Sequence, residues 1–138
     1  TYAYLTNLED QSQEMSINVT YTYLVDGTEQ TLRSASVKYP VETGGIAIAY
    51  KSDGSIQTMQ RMKSVKLTEL SGSWAMASNQ RYAIADDVQV YLRKNGSYYL
   101  TTLSAVNAED YTLTGWYNNS SSSAGRQIRI IIATALES

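Results

Sequence analysis

Histidine, cysteine and phenylalanine are all missing from this chain of 138 residues, and Pro40 is its single proline. Without histidine there is no imidazole to serve as general base, which excludes a Ser-His-Asp triad and helical zinc motifs built on paired histidines. Without cysteine there is no disulfide framework, no thiol nucleophile and no thiolate metal site. A surplus of positive charge is lacking too: 11 Lys and Arg stand against 13 Asp and Glu, a net charge of −2. No basic surplus is therefore available to neutralise a phosphate backbone or an anionic membrane surface, so no nucleic-acid partner is expected. Nor is there a long hydrophobic run. The longest, Ile130-Ile131-Ile132-Ala133, has the length of a strand, far short of the roughly 18 apolar residues of a spanning helix. No membrane insertion is expected.

What is present is a chain rich in Tyr, Ser and Thr, with 12 tyrosines and an apolar fraction of 43%, enough for a folded core. Period-two patterning recurs. Ile17, Val19, Tyr21 and Tyr23 alternate with Ser16, Asn18, Thr20 and Thr22, the mark of a half-buried strand. Asp26-Gly27 and Asn95-Gly96 lie between β-prone runs and read as hairpin turns, because such turns need φ > 0. Ser52-Asp53-Gly54 and Ser71-Gly72-Ser73 read as further turns or loops. Leu103 to Asp110 holds the one segment with a helical turn, capped by Ser104, with Leu103 and Val106 inward. Gly115 interrupts a strand and suggests a bulge. Asn118 to Gly125 reads as a polar loop. Ile130 to Ile132 is apolar on both faces, so that strand is expected to be central or well covered.

These signals predict an all-β fold of roughly nine to ten mostly antiparallel strands, arranged as one or two small β-barrels or a sandwich. The predicted core is Ile17, Val19, Tyr21, Ile46, Ile48, Val88, Val90, Leu100, Leu113, Ile130 and Ile132. A faint internal repeat matches Tyr23 to Gly27 with Tyr91 to Gly96, and Ile48-Ala49-Tyr50 with Gly115-Trp116-Tyr117. It suggests a duplication: one module over 1–138 made of two similar halves, 1–62 and 80–138, joined by 63–79.

Few groups are left for chemistry. Glu9-Asp10, Asp86-Asp87 and Glu109-Asp110 are adjacent carboxylates, but neighbours on a strand point to opposite faces and do not share a substrate. Two carboxylates from separate strands could flank a glycosidic bond, although no spacing singles out a pair. No catalytic residue, metal ligand or cofactor is assigned. The remaining candidates are aromatic. Trp74, Tyr98, Tyr99, Trp116 and Tyr117 offer flat faces on which a sugar could stack; core and cross-strand packing is the competing use of the same side chains. Asn18-Val19-Thr20 and Asn119-Ser120-Ser121 match the N-glycosylation pattern, which also arises by chance.

Three stretches carry a family likeness: Tyr82-Ala83-Ile84-Ala85-Asp86-Asp87-Val88-Gln89-Val90-Tyr91, then Asp110 to Tyr117, then Gly125 to Ala133. They resemble a β-rich region found beside S-layer homology repeats in Gram-positive cell-surface proteins. The repeat itself, with its early Phe, is absent. The resemblance implies export to the cell envelope, an extracellular location and no enzymatic role, and supplies no functional residues. The chain opens at Thr1, which reads as a mature fragment or an excised domain. The leading expectation is a non-catalytic spacer or protein-interaction unit whose partner is another surface protein. The alternative is a carbohydrate-binding module for cell-wall polysaccharide.

Overall fold

The computed structural model describes residues 1–118 and 127–136; most of the polar loop and the second glycosylation match, Asn119 to Ser121, lie outside them. The described chain is all-β, with twelve strands and one short 3-10 turn at Leu103–Ala105. It divides into two compact units, Thr1–Met62 and Lys63–Ser138.

The first unit contains β1 (Tyr2–Asp10), β2 (Val19–Val25), β3 (Thr28–Ser34), β4 (Gly44–Tyr50) and β5 (Ile56–Arg61). Their order in the sheet is β3-β2-β1-β4-β5, with every pair antiparallel. Three consecutive strands followed by a fourth that returns beside the first is a Greek key. Alternation in β2 puts Val19, Tyr21 and Tyr23 into a core shared with Ala3, Leu5, Ile46, Ile48 and Met59. Ile17 packs at its margin. The long β3–β4 connection is tied to that core by Tyr21, whose hydroxyl accepts a 2.9 Å bond from the Tyr39 backbone N–H. The two rings meet at a centroid distance of 5.7 Å.

At the exposed end of β1, Asp10 accepts a 3.0 Å bond from the Ser12 N–H and pairs with Lys38 at 3.2 Å. Hydrogen bonds from Ser12 first, then Lys38, hold its carboxyl down at about 2. A carboxyl depressed in the folded state contributes stability that is present above its unfolded value and lost as pH falls through the folded one. Its carbon resonance should accordingly titrate with a midpoint near 2 in the folded chain. A midpoint at the ordinary carboxylate value would show that the Ser12 turn does not form.

The second unit contains β6 (Lys63–Leu67), β7 (Glu69–Leu70), β8 (Trp74–Ala77), β9 (Gln80–Lys94), β10 (Ser97–Thr101), β11 (Tyr111–Tyr117) and β12 (Ile128–Ala135). The sheet order is β6-β11-β12-β9-β8-β7, with β10 paired to β9 alone. β6 and β7 are two halves of one bent segment around Thr68, whose N–H donates to Met76 O at 2.7 Å. The first half pairs with β11 and the second with β8, so the sheet curls back on itself. β12 joins β9 in parallel, the only parallel pairing among the described residues. Inside the curl lie Leu67, Ala75, Ala77, Tyr82, Ile84, Val90, Val106, Leu113, Ile128, Ile131 and Ala133.

The two units share their connectivity. Counting the bent segment 63–70 as a first strand, each has neighbours 1–2, 2–3, 1–4 and 4–5; the second unit adds the parallel 3–5 pair and the extra strand β10. Residues 63–79 are therefore not a connector: they are the first two strands of the second unit. The repeat also needs a different register. Ile48 to Tyr50 and Gly115 to Tyr117 do lie on equivalent fourth strands. However, the counterpart of Asp26-Gly27 is the Ser78-Asn79 turn, not Asn95-Gly96, which opens onto β10.

All three of these turns place both central residues at positive φ: Asp26 and Gly27 at 48° and 84°, Ser78 and Asn79 at 48° and 69°, Asn95 and Gly96 at 53° and 80°. This is the mirror-image turn that matches strand twist, and it favours Asn-Gly. Ser at such a φ is strained. Replacing Ser78-Asn79 by Asn-Gly should raise stability by about 0.5–1 kcal/mol, the usual scale for relieving backbone strain. Urea unfolding followed by tryptophan emission reads this directly, since Trp74 and Trp116 both belong to the second unit.

Three further expectations are corrected. Leu100 is not core but 54% exposed, because β10 hangs from β9 and pairs with no other strand among the described residues. The helical turn is one 3-10 turn preceded by Thr102, not Ser104, with no side-chain cap; Val106 is buried and Leu103 packs on the core as expected. The register shift in β11 falls between Trp116 and Tyr117, not at Gly115. Ile130 and Ile132 are buried, on the face opposite Ile131.

Candidate functional site

The five aromatics named from the sequence all belong to the second unit, but strand geometry sends them to different surroundings. Trp116 and Tyr117 end β11. Tyr117 packs on the core beside Tyr82, with ring centroids 5.2 Å apart. Trp116 is half-buried, between Ser64 of β6 and Ile130 of β12 in the ladder. Trp74 opens β8, and the Arg81 guanidinium sits 4.7 Å from its ring centroid. Such a cation over an indole face occupies the surface a sugar would stack on. Tyr98 is half-buried under Arg93, at 5.8 Å. Tyr99 alone of the five is exposed, at 54%. Trp74 and the β10 tyrosines lie along the same edge of β9, but opposite Ala83 and Leu92–Arg93 respectively, about nine residues of strand apart.

One carboxylate of each adjacent pair is engaged in a structural contact, Asp10 as described above. Asp87 faces Arg129 at 3.5 Å, and Asp110 accepts from Asn107 Nδ2 at 3.1 Å in the turn before β11. Asp53 is held below the ordinary carboxylate value by hydrogen bonds from the Ser55 hydroxyl and N–H. Among the described residues, no three acidic side chains gather as metal ligands. None of their helices is long and apolar enough to cross a membrane.

Two concavities formed by described residues bear on a binding role. One of about 370 Å³ is lined by Leu70, Ser71, Gly72, Leu103, Ser104 and Val106, and one of about 190 Å³ by Thr1, Tyr2, Ala47, Ile48, Ala49, Thr58 and Gln60. Their linings offer hydroxyls, amides and apolar surface, and no acidic or basic side chain.

What sequence reading missed is the one-sided setting of the β9–β10 hairpin, whose outer strand pairs with β9 alone among the described residues. Tyr99 and Leu100, adjacent and thus on opposite faces, are both 54% exposed on a strand that, among the described residues, is paired along one edge. The available signal was compositional: Ser97-Tyr98-Tyr99-Leu100-Thr101 carries no charge, although it follows a turn on the surface. No family model, curated protein or solved structure matches the chain.

Proposed function

We propose that this chain is a non-catalytic module of an exported bacterial cell-surface protein, working as a spacer or protein-interaction unit. The supporting observation is the same five-strand connectivity built twice in succession. Repetition of a small unit extends reach without new chemistry, which suits a spacer. The likeness of residues 82–91, 110–117 and 125–133 to the region beside S-layer homology repeats supports the envelope setting. Antibodies raised against the purified chain should label intact, unpermeabilised cells of the producing bacterium. Labelling only after permeabilisation would sink the proposal.

The second reading, a carbohydrate-binding module, draws its support from Tyr99, the one candidate aromatic with an open face. Co-sedimentation with cell-wall sacculi and insoluble polysaccharides separates the readings. Retention lost in Tyr99→Ala or Trp116→Ala would favour sugar recognition, whereas passage through every matrix would leave the spacer or protein-partner role.

A further inference from the structure

A sheet edge is a template for another strand, and proteins blunt such edges with charge, proline or bulges. The other strands that end a sheet path here follow that rule. β3 carries Glu29 and Arg33, β5 carries Arg61, β6 carries Lys63 and Lys66, and β7 carries Glu69. β10 is the exception, with five uncharged residues, no proline, and two tyrosines and a leucine. Its register with β9 is unbroken from Ser97–Lys94 to Thr101–Val90.

We infer that β10 is a self-association edge, pairing antiparallel with β10 of a second copy of this chain in a register centred on Tyr99. The two-residue turn at Asn95-Gly96 makes Ser97, Tyr99 and Thr101 the residues whose backbone groups bond to β9, by the alternation of antiparallel ladders. The backbone groups of the alternate residues, Leu100 among them, are directed away from β9. A two-fold axis at Tyr99 sets Tyr98 opposite Leu100 of the second copy in hydrogen-bonded positions, and the reverse. Tyr99 then meets its own counterpart in a non-hydrogen-bonded position, where side chains approach closest. The register is self-complementary: each exposed Leu100 gains a tyrosine ring, each exposed Tyr99 gains another, and no charge is buried. A second copy fits better than a charged peptide, because β10 offers no counter-charge to select one. Five-residue strands cover less than a standard interface, so the affinity should be weak, roughly 10 µM to 1 mM.

The absence of cysteine from the chain makes the register directly testable. Tyr99→Cys puts two thiols across the two-fold axis at a Cα separation of about 4.5 Å, within disulfide range. Mild oxidation should link this variant at least about 10-fold faster than Ser97→Cys, whose thiols would lie four residues out of register. Equal rates would overturn the register. Sedimentation velocity from 10 µM to 1 mM supplies the second readout, at concentrations spanning the roughly estimated affinity. The unmodified chain should shift toward twice the mass, and Leu100→Lys should remain monomeric with unchanged tryptophan emission. A wild-type chain that stays monomeric throughout, or a dimer that persists in Leu100→Lys, would overturn the inference. Neither arm depends on the envelope proposal, since both use the purified chain alone.

Discussion

Replacing Ile131 by alanine should lower the stability of the second unit by about 2–5 kcal/mol, the range for deleting a fully buried aliphatic side chain and leaving a cavity. Ile131 is fully buried on β12, paired with Gly115 of β11 on one side and Val90 of β9 on the other. It therefore sits where the parallel and antiparallel ladders meet, with sheet on both flanks and little freedom to collapse into the void. Against a total of roughly 5–15 kcal/mol for a domain, such a loss is severe. Urea titrations read by tryptophan emission report on the second unit alone, and the midpoint should fall at constant slope. A loss below about 1 kcal/mol would mean that residue 131 does not face a packed core.

Gly115→Val should cost about 1–3 kcal/mol, although valine is the better strand former. Two effects oppose. Strand propensity favours valine by up to about 1 kcal/mol. Space opposes it: a Cβ at residue 115 would come within 3.0 Å of Ile128 Cδ1 and 3.2 Å of both Leu67 Cδ carbons. A single methyl can be met by small shifts of those side-chain tips, so Gly115→Ala should be the milder change. Valine's two further carbons cannot be met in that way in a dense core. The double variant Gly115→Val with Leu67→Ala should recover part of the loss, because the second change vacates the space the first demands. Purely additive losses would show that the clash is not with Leu67.

Local regularities carried much of the fold. The alternation of Val19, Tyr21 and Tyr23 gave β2 its inner face, and Asp26-Gly27 and Asn95-Gly96 announced their hairpins. The burial of β12 on both faces was legible in Ile130 to Ile132. Ser78-Asn79 was missed because neither residue is glycine, although both take the same positive φ. Residues 63–79 passed for a connector because β7 has two residues and β8 four, too few to show a period beside the strong signal of Ser71-Gly72-Ser73. Leu100 was misplaced for a related reason: a five-residue strand does not reveal which of its edges another strand will cover. Gly115 was noticed, but its cause lies in Leu67 and Ile128, distant in sequence. The aromatic candidates were identifiable by type alone; which of them an arginine covers depends on ladder register.

The parallel contact between β9 and β12 also sets an order of events during synthesis. In the first unit, every ladder joins segments within residues 2–61, all of which leave the ribosome before any strand of the second. In the second, β12 is made after both β9 and β11, yet it separates them in the sheet. Until residues 128–135 emerge, Val90 and Leu113 lack the strand that lies between theirs. Such long-range closure is slow, because the entropy of the intervening loop must be lost before contact repays it. The nascent second unit thus passes through a stage with two uncovered sheet edges facing each other, the period in which it is most open to capture by a chaperone or by another chain.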